Sequence, residues 1–224
     1  MGNVVVLSVL YLIGIVLLLA FNELNYRRLN LKGEFTRKFA HLVATLAVIP
    51  LPYIFPSHWY ILILALLFFA ALFITQYSKQ LKSIHDIERK SIGSYLLPLS
   101  IYVTFLISSL LDNKLLYILP MLILAVCDPM AAILGINIKN YNGRIKIFGH
   151  KLNKTWLGSG AFLVTSFIIS IIALYFHKEV FDFHTFWLAA LIAVASTLGE
   201  LMSWRGSDNL SIPLSVVLVL VLFM

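Results

Sequence analysis

Eight apolar runs separated by charged loops constrain the fold of this chain more than any other feature. They cover roughly residues 4–21, 39–55, 59–75, 93–111, 115–135, 156–176, 184–204 and 210–224. A helix that crosses a bilayer needs about 20 mainly apolar residues. The second and last runs are short by that measure. Hydrocarbon offers the backbone no hydrogen-bonding partner, so spans of this kind close their bonds internally as helices. The rest of the composition agrees: 61% of residues are hydrophobic and 12% charged, whereas a soluble domain carries about a quarter charged. The first run has neither a basic region before it nor a small-x-small cleavage site, so it reads as an anchor rather than a removed signal.

Charge sets the orientation. Of the 17 Lys and Arg residues, all but Lys114 and Lys178 fall in the first, third, fifth and seventh loops. Cytoplasmic loops collect Lys and Arg. The fold class expected is therefore all-α: a polytopic integral membrane protein, one domain over residues 1–224, with about eight transmembrane helices. Both termini are expected on the non-cytoplasmic side. The net charge of +7 then gathers on one face, which suits anionic headgroups or a polyphosphate. The loops are short and belong to a membrane body, so nucleic acid is not an expected partner. The single Cys127 excludes an internal disulfide and reads as a packing residue.

Asp128 lies inside the fifth run, followed by Pro129. A carboxylate at membrane depth costs at least about 2.5 kcal/mol, and such residues commonly mark functional sites. Proline removes a backbone donor and disfavours helical geometry at the residue before it, so a helix break is expected beside Asp128. The plainer reading is a buried ion pair that ties helices together.

Other polar groups gather at the same ends of the spans. Arg37, Lys38 and His41 open the second, Glu88, Arg89, Gly93 and Ser94 the fourth, and Lys154, Thr155, Gly158 and Ser159 the sixth. Glu200, Asp208 and Asn209 surround the last loop. Each has a plainer reading alone: snorkelling flanks for Arg37 and Lys38, a core histidine for His41, a helix cap for Asp208 or Asn209. Residues 77–92 alternate apolar and charged side chains and suit an amphipathic helix at the interface. Residues 136–155 hold Gly143 and Gly149 among five cations, with the alternation Arg144-Ile-Lys-Ile147, and read as a hairpin-like loop. Asp128, Glu200 and Asp208 together with these cations fit a magnesium–nucleotide site, because Mg²⁺ prefers a few carboxylates plus phosphate oxygens and water. No Walker loop, kinase Gly-rich loop or dinucleotide fingerprint is present.

The ordered motifs Arg37-Lys-Phe-Ala-His41, Glu88-Arg-Lys-Ser-Ile-Gly-Ser94, Asp128-Pro-Met-Ala-Ala-Ile-Leu-Gly135, Lys154-Thr-Trp-Leu-Gly-Ser159 and Glu200 with Asp208-Asn-Leu-Ser-Ile-Pro213 resemble the dolichol kinase, phytol kinase and CTP-dependent diacylglycerol kinase family over residues 37–214. The resemblance implies an integral-membrane lipid kinase. It would phosphorylate the hydroxyl of a lipid alcohol with CTP and a divalent metal, Mg²⁺ or Mn²⁺, at the cytoplasmic face of a bacterial, archaeal or organellar membrane. By matching positions it implies Asp128, Lys154 and Asp208 as catalytic. Arg37, Lys38, Arg89, Thr155, Ser159 and Asn209 would bind nucleotide, and Asp128, Glu200 and Asp208 would hold metal, with His41 and Glu88 as further members. One departure from the pattern is the stretch from Gly135 to Lys154, which is longer than the family's Gly-basic-Gly run. The related phosphatidate cytidylyltransferases are the alternative; their His-Gly-Gly followed by Asp-Arg-x-Asp is missing from this sequence. A small transporter or lipid-binding protein is a third reading. It fits less well, because the polar groups cluster at one interface instead of lining a path across the membrane.

Overall fold

The computed structural model describes residues 2–29, 33–77, 92–137, 143–147 and 150–224. In chain order these form α1 (Gly2–Leu29), α2 (Gly33–Val48), the single turn α3 (Leu51–Ile54), α4 (His58–Tyr77), α5 (Gly93–Leu110), α6 (Leu115–Asn137), β1 (Arg144–Ile147), β2 (His150–Thr155), α7 (Trp156–Lys178), α8 (Phe183–Leu201) and α9 (Asp208–Phe223). Among the described residues six helices are long and apolar enough to cross a membrane; α9 and the stretch Lys38–Ile54 are shorter apolar helices. The protein is an all-α polytopic membrane protein, as its hydropathy requires, and the two runs that looked short are the two short helices.

Helix α6 is the centre of the bundle. It packs against α2, α5, α7 and α9, and Tyr117, Leu119, Met121, Ile123, Leu124 and Cys127 are fully enclosed. A helix that is apolar all round is one that neighbours surround. Helix α1 is its opposite: equally apolar, but none of its spanning window is buried. It rests on α2 and touches α4, leaving most of its surface to lipid.

Proline ends α2 in sequence terms, because Pro50 and Pro52 follow it. The last carbonyls of a helix lack intrahelical donors. Tyr117 of α6 supplies one, donating its hydroxyl to the Val48 carbonyl at 2.9 Å. A side chain from the core helix thus fixes the far end of α2.

Two sequence expectations change here. The break expected at Asp128-Pro129 does not occur: α6 runs on to Asn137 with Pro120 and Pro129 inside it. Proline costs a spanning helix one backbone donor, and packing against neighbouring helices tolerates that loss. Asp128 therefore lies seven residues before Gly135, about 10 Å inside the span. The hairpin-like loop, in contrast, is a true antiparallel hairpin. Lys146 pairs with Lys151 and Ile147 with His150, with an irregularity between Arg144 and Lys146. It delivers the chain into α7 at Thr155.

Helices α6 and α7 meet at two glycines. A Cβ on Gly158 would lie 2.8 Å from the Ala131 carbonyl oxygen and 3.5 Å from the Gly135 Cα. Small residues let membrane helices approach closely. This contact holds the Asp128 motif on α6 against the Lys154 motif at the start of α7.

Candidate functional site

Residues from five helices, with Lys154 at the end of β2, converge on one polar cluster. Lys38, on the first turns of α2, reaches across to Asp128 on α6 and donates to both carboxylate oxygens, at 2.8 Å and 2.5 Å. His41, one turn further along α2, places Nε2 3.9 Å from the same carboxylate. Asp128 is only 4% exposed. The cost of burying it is offset by a cation that comes from a different helix and keeps partial access to water, its side chain being 22% exposed.

Lys154 is the second centre. Its ammonium lies 2.7 Å from Glu200 Oε1 on α8 and 3.5 Å from Asp208 Oδ2 on α9. The Asp128 charge also favours the Lys154 ammonium. Burial opposes the Lys154 charge, but Asp208, then Glu200 and Asp128, outweigh it and hold the ammonium above the ordinary lysine value. Glu200 is 3% exposed, and Ser159 Oγ donates to its other oxygen at 3.1 Å.

The remaining members build the frame. Thr155 caps α7, its hydroxyl accepting from the Gly158 N–H at 3.2 Å. The four leading N–H groups of a helix need acceptors, and Thr155 meets one while fixing where Lys154 enters. Asn209 spends its side-chain amide on the Gly93 carbonyl at 2.7 Å. The chain between α8 and α9 turns through two left-handed residues, Arg205 at φ 51° and Gly206 at φ 92°. The Arg205 carbonyl accepts from Ile92 N–H at 2.9 Å. A Cβ on Gly93 would press on Asn209 Nδ2 and the Gly206 carbonyl oxygen, both at 3.1 Å. That is why glycine begins α5 here.

The structure thus brings together Lys38, His41, Asp128, Lys154, Ser159, Glu200 and Asp208, and places Thr155 and Asn209 behind them. Of Arg37 only the backbone is described, in α2; Glu88, Arg89 and the amphipathic stretch around them lie outside the described residues. Sequence reading grouped Lys38 with phosphate binding and did not pair it with Asp128. Nothing in the one-dimensional pattern joins residues 90 positions apart.

The carboxylates do not form a cage for a metal. Among the described residues no three His, Cys, Asp or Glu side chains are gathered as a metal site, and Lys154 sits where Glu200 and Asp208 approach each other. Asp128, Glu200 and Asp208 were expected as a ligand set; the geometry makes Glu200 a partner of Lys154 and Ser159 instead. The donor set does fit an ion brought in on phosphate, since Mg²⁺ needs only one or two carboxylates when phosphate oxygens and water complete its shell.

No curated protein and no solved structure matches the chain. The model of the cytidylyltransferase family matches residues 2–204. The protein belongs to the cytidylyltransferase family, and is accordingly a membrane-embedded transferase whose partners are a lipid and a nucleotide.

Proposed function

We propose that the protein is a CTP-dependent lipid kinase, transferring the γ-phosphoryl group to the hydroxyl of a membrane lipid alcohol, either a prenol or diacylglycerol. The observation that supports it most is Asp128. It is a buried carboxylate within reach of the bilayer's own substrates, held between Lys38 and His41, and electrically coupled to Lys154. In this reading the alcohol oxygen attacks the γ-phosphorus, the bond to the β-phosphate oxygen breaks, and CDP leaves. Asp128 accepts the hydroxyl proton. Lys38 and Lys154 exchange their carboxylate partners for phosphate oxygens and offset the charge that spreads over them. Lys154 and the positive N-terminal end of α7 lie together. Asp208 and Asp128 would share a magnesium ion with the phosphates, and that ion would neutralise part of their charge. The positive loops argue for a cytoplasmic site with both termini on the other side.

The family description favours a second reading, cytidylyl transfer to a lipid phosphate. There the lipid phosphate oxygen attacks the α-phosphorus and pyrophosphate leaves. The missing His-Gly-Gly motif and the five kinase-like motifs weigh towards the kinase.

The two are separated by where the label goes. Purified protein in lipid nanodiscs receives CTP labelled at the γ- or the α-phosphorus, Mg²⁺, and a panel of lipid alcohols and phosphatidate. Lipid labelled from the γ-position, lost in Asp128→Asn, is the expected result. Lipid labelled from the α-position, with pyrophosphate released, replaces the kinase reading with the second one.

A further inference from the structure

Gly14 stands in the middle of helix α1, in a run of Leu, Ile and Val. Glycine weakens a helix by about 1 kcal/mol relative to alanine. In membrane helices it usually serves close backbone approach, as Gly158 does here. Gly14 has no such contact, because a Cβ built on it would meet nothing within 4 Å. The space beside it is a cavity of about 400 Å³ between α1, α2, α4 and α5. That is within the size range of ligand pockets, about 300–1,000 Å³.

The cavity is apolar, and two of its walls run along helices that begin beside the polar cluster. Its α2 wall includes Ala44 and Val48, three and seven residues after His41 and so on the same helical stripe. Its α5 wall includes Leu97 and Ile101, four and eight residues after Gly93, which receives Asn209. At the end away from His41 it is lined by Leu51 and Ile61, which are buried. Along α1 it reaches from Leu18 to Leu7, about 16 Å at 1.5 Å per residue. An extended chain advances about 1.2 Å per bond, so that length takes about 13 bonds, or roughly three isoprene units.

Resting on the kinase reading above, we propose that this cavity receives the hydrocarbon tail of the acceptor alcohol. The hydroxyl would then lie towards the start of α2, where Lys38 and His41 face Asp128, and Gly14 keeps the bore open. The bilayer is as apolar as the cavity, so entry brings no gain from leaving water. The cavity selects by shape and length. A tail of about three isoprene units fills it, and a bulkier residue at position 14 shortens it.

The test uses the full chain in nanodiscs and a farnesol analogue with a diazirine at the tail end. Photolysis is expected to label peptides of α1, α2, α4 and α5 that line the cavity. Gly14→Trp should reduce that labelling about tenfold, the low end of what a hydrophobic pocket achieves for a misfit group, with Gly14→Leu intermediate. Gly160→Trp controls for added bulk: a Cβ there also meets open space, outside the cavity. In turnover, Gly14→Trp should raise KM about tenfold for farnesol and under about twofold for geraniol. Labelling that Gly14→Trp leaves unchanged, or that phosphatidylcholine displaces as well as farnesol does, overturns the proposal. If the unmodified protein phosphorylates no alcohol, the kinase reading fails, and the labelling arm still decides the cavity.

Discussion

Replacing Lys154 by Met removes the cation between Glu200 and Asp208 while keeping the length of the side chain. Among the described residues, Glu200, 3% exposed, then keeps only the Ser159 hydroxyl at 3.1 Å. Removing one partner of a buried ion pair costs about 3–5 kcal/mol, because the other charge is left uncompensated. The Lys154 side chain is itself 19% exposed, so water reaches part of the vacated space and the low end, about 3 kcal/mol, applies. A protein of this length moves about 2–4 °C in Tm per kcal/mol. The expected fall is therefore about 6–12 °C, read by tryptophan fluorescence during heating in detergent. Adding Glu200→Gln takes away the stranded charge and should restore most of the loss. If Lys154 faces phosphate as proposed, transfer from CTP should stay at least about 100-fold down in both variants. A single variant within about 2 °C of the unmodified protein, less than 1 kcal/mol, would refute the ion-pair account. So would a double variant no more stable than the single one. Recovery of transfer in the double variant would remove Lys154 from the phosphate site.

Three further outcomes follow from the same geometry. Gly158→Ala drives a methyl into the Ala131 carbonyl at 2.8 Å and should cost about 1–3 kcal/mol as overpacking, whereas Gly14→Ala, in open space, should be neutral or stabilising by up to about 1 kcal/mol; matching melting temperatures would contradict the α6–α7 contact. Tyr117→Phe leaves the Val48 carbonyl without its donor and should lower stability by about 1–3 kcal/mol, measured by denaturation in mixed micelles. Lys154 is held above its ordinary value of 10.5, so its stabilisation is complete below that pH and lost as pH rises through the higher folded value; the Tm gap between the unmodified protein and Lys154→Met should stay constant from about pH 7 to 9 and close only above about 10.5.

Hydropathy was sufficient for the membrane body because the bilayer acts on each span separately. Length and apolarity decide insertion, and the loop charges repeat every second connection. That is why the eight runs reappear as six long helices and two short ones. The Gly-rich basic stretch before Lys154 was legible as a hairpin for a similarly local reason, the alternation of Arg144-Ile-Lys-Ile147. Pro129 misled for want of tertiary information. Its local effect is to break a helix, and packing against the surrounding helices keeps α6 continuous through it. Hydropathy did not separate the lipid-facing span from the core one, since the windows of α1 and α6 are both strongly apolar, and only packing buries α6.

For the site, the sequence determined which residue types stand at the ends of the spans, and therefore that carboxylates and lysines would meet at one interface. Tertiary structure alone decided who meets whom: Lys38 with Asp128, Lys154 with Glu200 and Asp208, Asn209 with Gly93. Those pairings join helices far apart in the chain, and their partners are chosen by how α6 packs. The glycines divide the same way. Gly158 and Gly14 look alike in one dimension, but a carbonyl oxygen 2.8 Å away makes the first a contact, and empty space beside the second makes it part of a cavity.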